Sequence, residues 1–204
     1  MSVDGRAQTS AADDLLEIIP ADEVFNALSA TPLREGPPPD TPDGIPHQQH
    51  SQNGPFELQQ LLTASIAVLP GIRIEPTQFS LDGALGWRLN GSFALGPEDA
   101  FIQQSDEFGH LHRSSDGSAH MLLPPAAATL ALDKGWGIIH PLTDSISGDE
   151  SDYVMIYSAR NAHELYTFWI IVQISYYFAR GISLDPGPTS ITPATLGQVK
   201  NIGH

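Results

Sequence analysis

Apolar positions recur most regularly towards the C-terminus. Leu165, Phe168, Trp169, Val172, Tyr176 and Ala179 return at the spacing that lines up on an α-helix. Asn161 followed by Glu164 makes a capping-box-like start, and Gly181 makes the stop. The stretch is apolar almost all round, which predicts a long, buried, central helix. Residues 56–68 carry apolar side chains at 58, 61, 62, 66 and 68 and close at Pro70-Gly71, a second helix. Residues 72–81 and 85–95 alternate as strands do, with Asp82-Gly83 as the turn between them. Residues 108–123 form a hairpin pattern around Ser114-Ser115-Asp116-Gly117, and residues 152–158 read as a buried strand. These elements predict an α+β domain with an antiparallel sheet.

The flanks read differently. Residues 11–19 and 22–28 have the pattern of two short helices, separated by Pro20, which lacks the amide hydrogen a helix interior needs. Residues 34–55 are rich in Pro, Gly and polar residues and almost without apolar ones, so they are expected to form a linker or extended arm. The tail from residue 183, with Pro186, Pro188 and Pro193, has the same character, although Ile191 and Leu196 are able to dock. The expected division is an acidic, Pro-rich arm with short helices over 1–54, one domain over 55–182, and a tail over 183–204, the two arms being flexible. There is no internal repeat at a fixed period.

Charge and composition narrow the function. The chain has 204 residues, 24 acidic and 9 basic, and a formal net charge of -15. It has no basic cluster with which to release counterions from a nucleic acid, and an anionic membrane surface is disfavoured for the same reason. With no cysteine, disulfides, thiolate zinc sites and iron–sulfur clusters are excluded. No signal-peptide pattern opens the sequence. Its most apolar stretch, residues 165–179, falls short of the roughly 20 residues a bilayer span requires. A cytoplasmic protein without membrane or nucleic-acid partners is the expectation. Glycine-rich phosphate loops, a Gly-x-Ser-x-Gly elbow and a His-Glu-x-x-His helix are also missing.

The chemistry concentrates in histidine. If the 108–123 hairpin is centred on Ser115, positions summing to 230 face each other, so His110 lies opposite His120 and His112 opposite Ser118. Residues two apart share a strand face, and opposed Cβ atoms lie within about 4.5–5.5 Å. His110, His112 and His120 would then converge on a space suited to one small ion or one polar substrate group. Two chemistries remain open. Three neutral imidazoles can bind a borderline metal, or one can act as a base while the others stabilise a developing anion. His140 ends Lys134-Gly-Trp-Gly-Ile-Ile-His, in which Gly135 and Gly137 flank Trp136, and Pro141 biases His140 to an extended conformation. Arg160 could hold an enolate or carboxylate bidentately or pair locally. His47, His50, His163 and His204 carry no assigned role.

The order Phe108-Gly-His-Leu-His112, His120, Lys134-Gly-Trp-Gly-Ile-Ile-His-Pro-Leu142, Tyr157-Ser-Ala-Arg-Asn-Ala-His-Glu164 and a helix ending Ile174-Ser-Tyr-Tyr177 resembles the fungal luciferases that oxidise 3-hydroxyhispidin, and the wider luciferase-domain family, over residues 56–180. The resemblance implies a small-molecule enzyme that uses dioxygen and needs no flavin or nicotinamide. An enolic or phenolic substrate of α-pyrone or polyketide type is deprotonated, reacts with dioxygen and loses carbon dioxide. It implies His110, His112, His120, His140 and Arg160 as catalytic residues and Trp136 and Tyr157 as substrate contacts. No cofactor is expected, apart from a possible divalent metal on His110, His112 and His120. Two departures stand out: a Pro-rich acidic arm replaces the luciferases' membrane anchor, and Ser115 or a neighbour replaces a further hairpin histidine. The competing readings are a histidine-metal decarboxylase, cyclase or hydrolase, and a non-catalytic binding module.

Overall fold

The computed structural model describes residues 15–113 and 116–184. The pattern at 11–14, the hairpin tip at Ser114 and Ser115, and the docking residues Ile191 and Leu196 lie outside them. In chain order the elements are α1 (Ala21–Ala30), α2 (Phe56–Ala67), β1 (Ile72–Pro76), β2 (Leu85–Leu89), β3 (Glu107–Leu111), β4 (Ala119–Leu123), α3 (Pro125–Asp133), β5 (Gly137–Ile139), α4 (Thr143–Ile146), β6 (Asp152–Ile156) and α5 (Ala162–Ala179). The strands form one antiparallel sheet in the order β1-β2-β3-β4-β6-β5, so the class is α+β. No helix among the described residues is long and apolar enough to cross a membrane.

α5 is the predicted central helix. The Asn161 side chain accepts from the Glu164 amide at 3.0 Å, satisfying one of the donors that a helix start leaves open. At the other end Gly181 takes φ +65°, the left-handed conformation that stops helices at little cost in glycine. Fourteen of the 18 residues of α5 are buried. One side of the helix packs on β3 and β4, where Trp87, Phe108 and Tyr176 form an aromatic chain with ring centroids 6.1 and 6.3 Å apart. Alternation divides the sheet. Trp87, Met121, Leu123, Val154 and Ile156 join this core, whereas Leu122 and Tyr153 face the other way into a smaller cluster with Ile102.

The N-terminal residues fold onto the domain. Residues 15–19 are not helical, but they lie along α5: Trp169 Nε1 donates to the Glu17 carbonyl at 2.6 Å, and Gln173 Oε1 accepts from the Ile19 amide at 2.7 Å. α1 follows, with Val24 and Leu28 fully buried. Residues 34–55 contain no helix or strand, as their composition indicates, yet they are bound along the sheet's second face. The Arg34 amide donates to the Lys134 carbonyl at 2.8 Å, Gln49 Oε1 accepts from the Ser158 amide at 2.9 Å, and the Gly54 amide donates to Ser158 Oγ at 2.9 Å. An apolar-content argument misses this docking because hydrogen bonds, not apolar burial, hold it.

Candidate active site

The expected register holds at the hairpin. His110 pairs with His120 and Leu111 with Ala119, and the His112 amide donates to the Ser118 carbonyl at 2.9 Å. His110, His112 and His120 therefore project from one face, the face away from α5. All three are buried. Their ring centroids lie 4.6 Å (His112–His120), 5.2 Å (His110–His120) and 5.7 Å (His110–His112) apart. β5 delivers His140 to the same face, because its next residue continues antiparallel to β6 with the His140 amide donating to the Tyr153 carbonyl at 2.9 Å. The His140 ring sits 4.5 Å from that of His120 and 4.5 Å from that of Tyr153.

His47, on the docked arm, completes the group. It is buried, stacks parallel on His120 at 5.4 Å and meets His140 edge-on at 5.0 Å. No local pattern links it to the others, because it lies more than 60 positions before the hairpin in a Pro-rich stretch. A signal was available: a histidine beside the apolar Ile45-Pro46 pair in an otherwise polar arm.

Two carboxylates, also unanticipated, orient two of the rings. β3 carries a bulge: Trp87 pairs with Gly109 but Arg88 with Glu107, leaving Phe108 as the extra residue. Three positions apart, Glu107 and His110 would face opposite ways in a regular strand. The bulge turns them to one side, and His110 Nδ1 donates to Glu107 Oε1 at 3.0 Å. Glu107 is fully buried and also accepts from Thr77 Oγ1 at 2.6 Å and Arg88 Nη2 at 2.9 Å. Likewise His112 Nδ1 donates to Asp116 Oδ2 at 2.8 Å, while Asp116 Oδ1 accepts from the Ser118 amide at 2.9 Å.

These bonds assign the tautomers. With their Nδ1 protons held by carboxylates, His110 and His112 keep lone pairs at Nε2. His110 Nε2 lies 3.2 Å from His120 Nδ1. His140 is the reverse case: its Nδ1 accepts from the Leu142 amide at 3.0 Å, so its own proton is on Nε2. His47 Nδ1 and His120 Nε2 are buried with no hydrogen-bond partner among the described residues.

Burial governs the electrostatics, since removing an imidazolium from water favours the neutral ring. His120 is held well below the ordinary histidine value by burial first, then by His112, His110, His140 and His47. His140 is lowered to about 3, again by burial and then by the neighbouring histidines. His47 and His110 are lowered chiefly by burial, although the Glu107 hydrogen bond opposes this at His110. At Asp116 burial pushes upward, but the His112 and Ser118 hydrogen bonds outweigh it and hold the carboxyl below its ordinary value. Burial raises the Tyr153 phenol, which stays protonated.

Above this floor opens a cavity of about 450 Å³. His47, His120, His140 and Tyr153 line it together with the polar Gln48, Gln78, Ser80 and Gln103, and Phe79, Ile102 and Leu142 are among its apolar walls. That volume suits a small organic molecule. Of the other expected site residues, none lines it. Arg160 is committed at the start of α5, with Nε donating to Glu164 Oε1 at 2.8 Å, Nη1 to Gln52 Oε1 at 3.0 Å and Nη2 to the Glu35 carbonyl at 2.8 Å. Trp136 packs in the main core and donates from Nε1 to the Pro32 carbonyl at 3.1 Å. Tyr157 lies under the Arg34 guanidinium, 5.3 Å from ring centroid to carbon.

Residues 105–175 match the family model described as Luciferase domain. That segment contains His110, His112, His120 and His140 but not His47. A luciferase of Armillaria ostoyae is similar at 26% identity over 178 residues, covering 80% of this chain and 65% of that protein. Luciferases of Armillaria gallica and Armillaria mellea are each similar at 26% identity over 162 residues, covering 72% of this chain and 60% of theirs. The chain thus spans 60–65% of the length of these curated relatives. No solved structure matches it.

Proposed function

We propose that the histidine-floored cavity is the active site of an enzyme that oxidises a small enolic or phenolic molecule with dioxygen. The observation that carries this reading is the convergence of His47, His120 and His140, all held neutral by burial, with Tyr153 on the lining of one small-molecule cavity. A neutral His47 keeps one ring nitrogen able to accept a proton, and His140, its Nδ1 taken by the Leu142 amide, carries its proton on Nε2. The similarity to fungal luciferases supports the reaction class, and the apolar walls suit an α-pyrone or polyketide-like ring.

His47 takes the enol proton, and His140 Nε2–H donates to the substrate oxygen as charge builds there. The delocalised carbanion then gives an electron pair to dioxygen, forming a carbon–oxygen bond, and the proton on His47 passes to the terminal peroxide oxygen. The sum is substrate plus dioxygen giving a hydroperoxide, whose breakdown releases carbon dioxide. Oxygen uptake and carbon dioxide release, measured with a panel of enolic α-pyrones and phenols, test this. His47→Ala and His140→Ala should each lower kcat by about 10²–10⁴-fold with the far-ultraviolet circular dichroism unchanged. A folded wild type that consumes no oxygen with any of the panel, or variants as active as the parent, would overturn the proposal.

A further inference from the structure

We propose that His110, His112 and His120 bind one divalent transition-metal ion beneath the cavity floor, held in place by Glu107 and Asp116. The inference rests on geometry and does not depend on the oxidation chemistry above.

Each of the three histidines offers a ring nitrogen, and these nitrogens all lie within 4.8 Å of one another in a fully buried group. Metal–imidazole bonds of about 2.0–2.1 Å at tetrahedral angles place ligand nitrogens about 3.3 Å apart. His110 Nε2 and His120 Nδ1 are 3.2 Å apart. The ring-centroid separations of 4.6–5.7 Å allow all three rings to point at one centre.

The carboxylates make the case specific. A histidine that ligates a metal through one nitrogen characteristically donates its other N–H to a carboxylate or carbonyl, which fixes the ring and strengthens the ligand. His110 and His112 both do so here, through Glu107 at 3.0 Å and Asp116 at 2.8 Å. Both carboxylates are themselves anchored, Glu107 by Arg88 and Thr77 and Asp116 by Ser118. These two second partners leave Nε2 of His110 and of His112 free to ligate, and His120, whose Nδ1 donates to His110 Nε2 in the ion's absence, would ligate through Nδ1 once its proton has moved to Nε2. Three neutral nitrogen ligands and no thiolate select a borderline ion such as zinc, iron(II), cobalt(II) or copper(II) over calcium or magnesium.

A second triplet, His47, His120 and His140, is as close in space but is less suited. His140 spends its Nδ1 lone pair on the Leu142 amide, and among the described residues no carboxylate bonds either His47 or His140. His120 belongs to both triplets and lines the cavity, so its ring is the link between the ion and the substrate space.

The test is metal binding by the full chain, purified without a histidine tag and stripped with a chelator. Titration with Zn²⁺ and with Co²⁺ should give one equivalent per chain, with the visible absorption of nitrogen-ligated cobalt and a raised Tm on metal addition. His112→Ala should abolish saturable binding, and Asp116→Asn and Glu107→Gln should weaken it about 10–100-fold. His140→Ala should retain one equivalent. Absence of saturable binding in the folded wild type would overturn the site. Loss of the ion in His140→Ala with retention in His112→Ala would overturn it equally, in favour of the shallower triplet. Because the readout is binding, the oxidation proposal can fail while this one stands, and the reverse.

Discussion

Gly86→Ala isolates the buried carboxylate that positions His110. Gly86 lies opposite His110 in the sheet, and an ideal Cβ there would lie 2.5 Å from Glu107 Oε2 and 2.8 Å from its carboxyl carbon. Ordinary contact begins at 3.4 Å, so the carboxylate must retreat by about 0.9 Å. It cannot do so freely: it is fully buried and tied at 2.6 Å to Thr77, 2.9 Å to Arg88 and 3.0 Å to His110. A shift of that size breaks one or two of these bonds. Bonds to a charged group contribute about 1.5–3 kcal/mol each, and breaking a buried ion pair outright costs about 3–5 kcal/mol. A destabilisation of about 2–4 kcal/mol follows, and for a chain of this size a fall in Tm of roughly 5–15 °C. Denaturant unfolding of the wild type, Gly86→Ala, Glu107→Ala and the double variant closes a thermodynamic cycle. With Glu107 shortened, Gly86→Ala should be nearly silent, giving a coupling energy of about 2–4 kcal/mol. A change of under about 0.5 kcal/mol for Gly86→Ala, or strict additivity in the cycle, would refute the claim that this glycine exists to seat the carboxylate.

Two further outcomes follow from the arm and the start of α5. Gly54→Ala would place a Cβ 1.8 Å from the Ala159 carbonyl oxygen, a backbone atom with little room to move. The arm should lift, giving faster limited proteolysis within residues 34–55 and a loss of turnover as His47 leaves the cavity; unchanged cleavage would show that the arm does not need this seat. Burial pushes Glu164 upward, but its bonds to Arg160 and the proximity of Arg34 hold it below its ordinary value of 4.5. A depressed carboxyl adds stability above its unfolded value and loses it as pH falls through the folded one. Glu164→Gln should therefore be destabilised at pH 7, with the gap to wild type closing below pH 4.5, as followed by urea unfolding; a gap independent of pH would exclude the linkage.

Local periodicity reaches as far as strands, helices and faces. The spacing around Asn161 and Gly181 defines the long helix, because cap chemistry and a 3.6-residue period are properties of adjacent residues. The two-residue period of a strand is just as local, and so the 108–123 segment by itself puts His110, His112 and His120 on one side once the turn is centred. His140 is legible as a strand end but not as a neighbour of His120, since nothing local fixes β5 against β6. Arg160 carries a charge that suits a substrate anion, and only the fold shows that Glu164, one helical turn on, already holds it.

What the tertiary structure alone decides are the relations that depend on irregularity or on distance along the chain. The bulge at Phe108 breaks strand parity and brings Glu107 beside His110, and a pattern-based reading assumes that parity. The arm at 34–55 has the composition of an unfolded linker, yet the Ser158 bonds, and the Gln49 amide donating to Asp116 Oδ2 at 3.3 Å, dock it and carry His47 to the histidine group. The sequence by itself determines which face bears the imidazoles, because that is set within a dozen residues. Which groups hold their protons, and what closes the cavity over them, depends on residues tens of positions away, and folding alone brings those together.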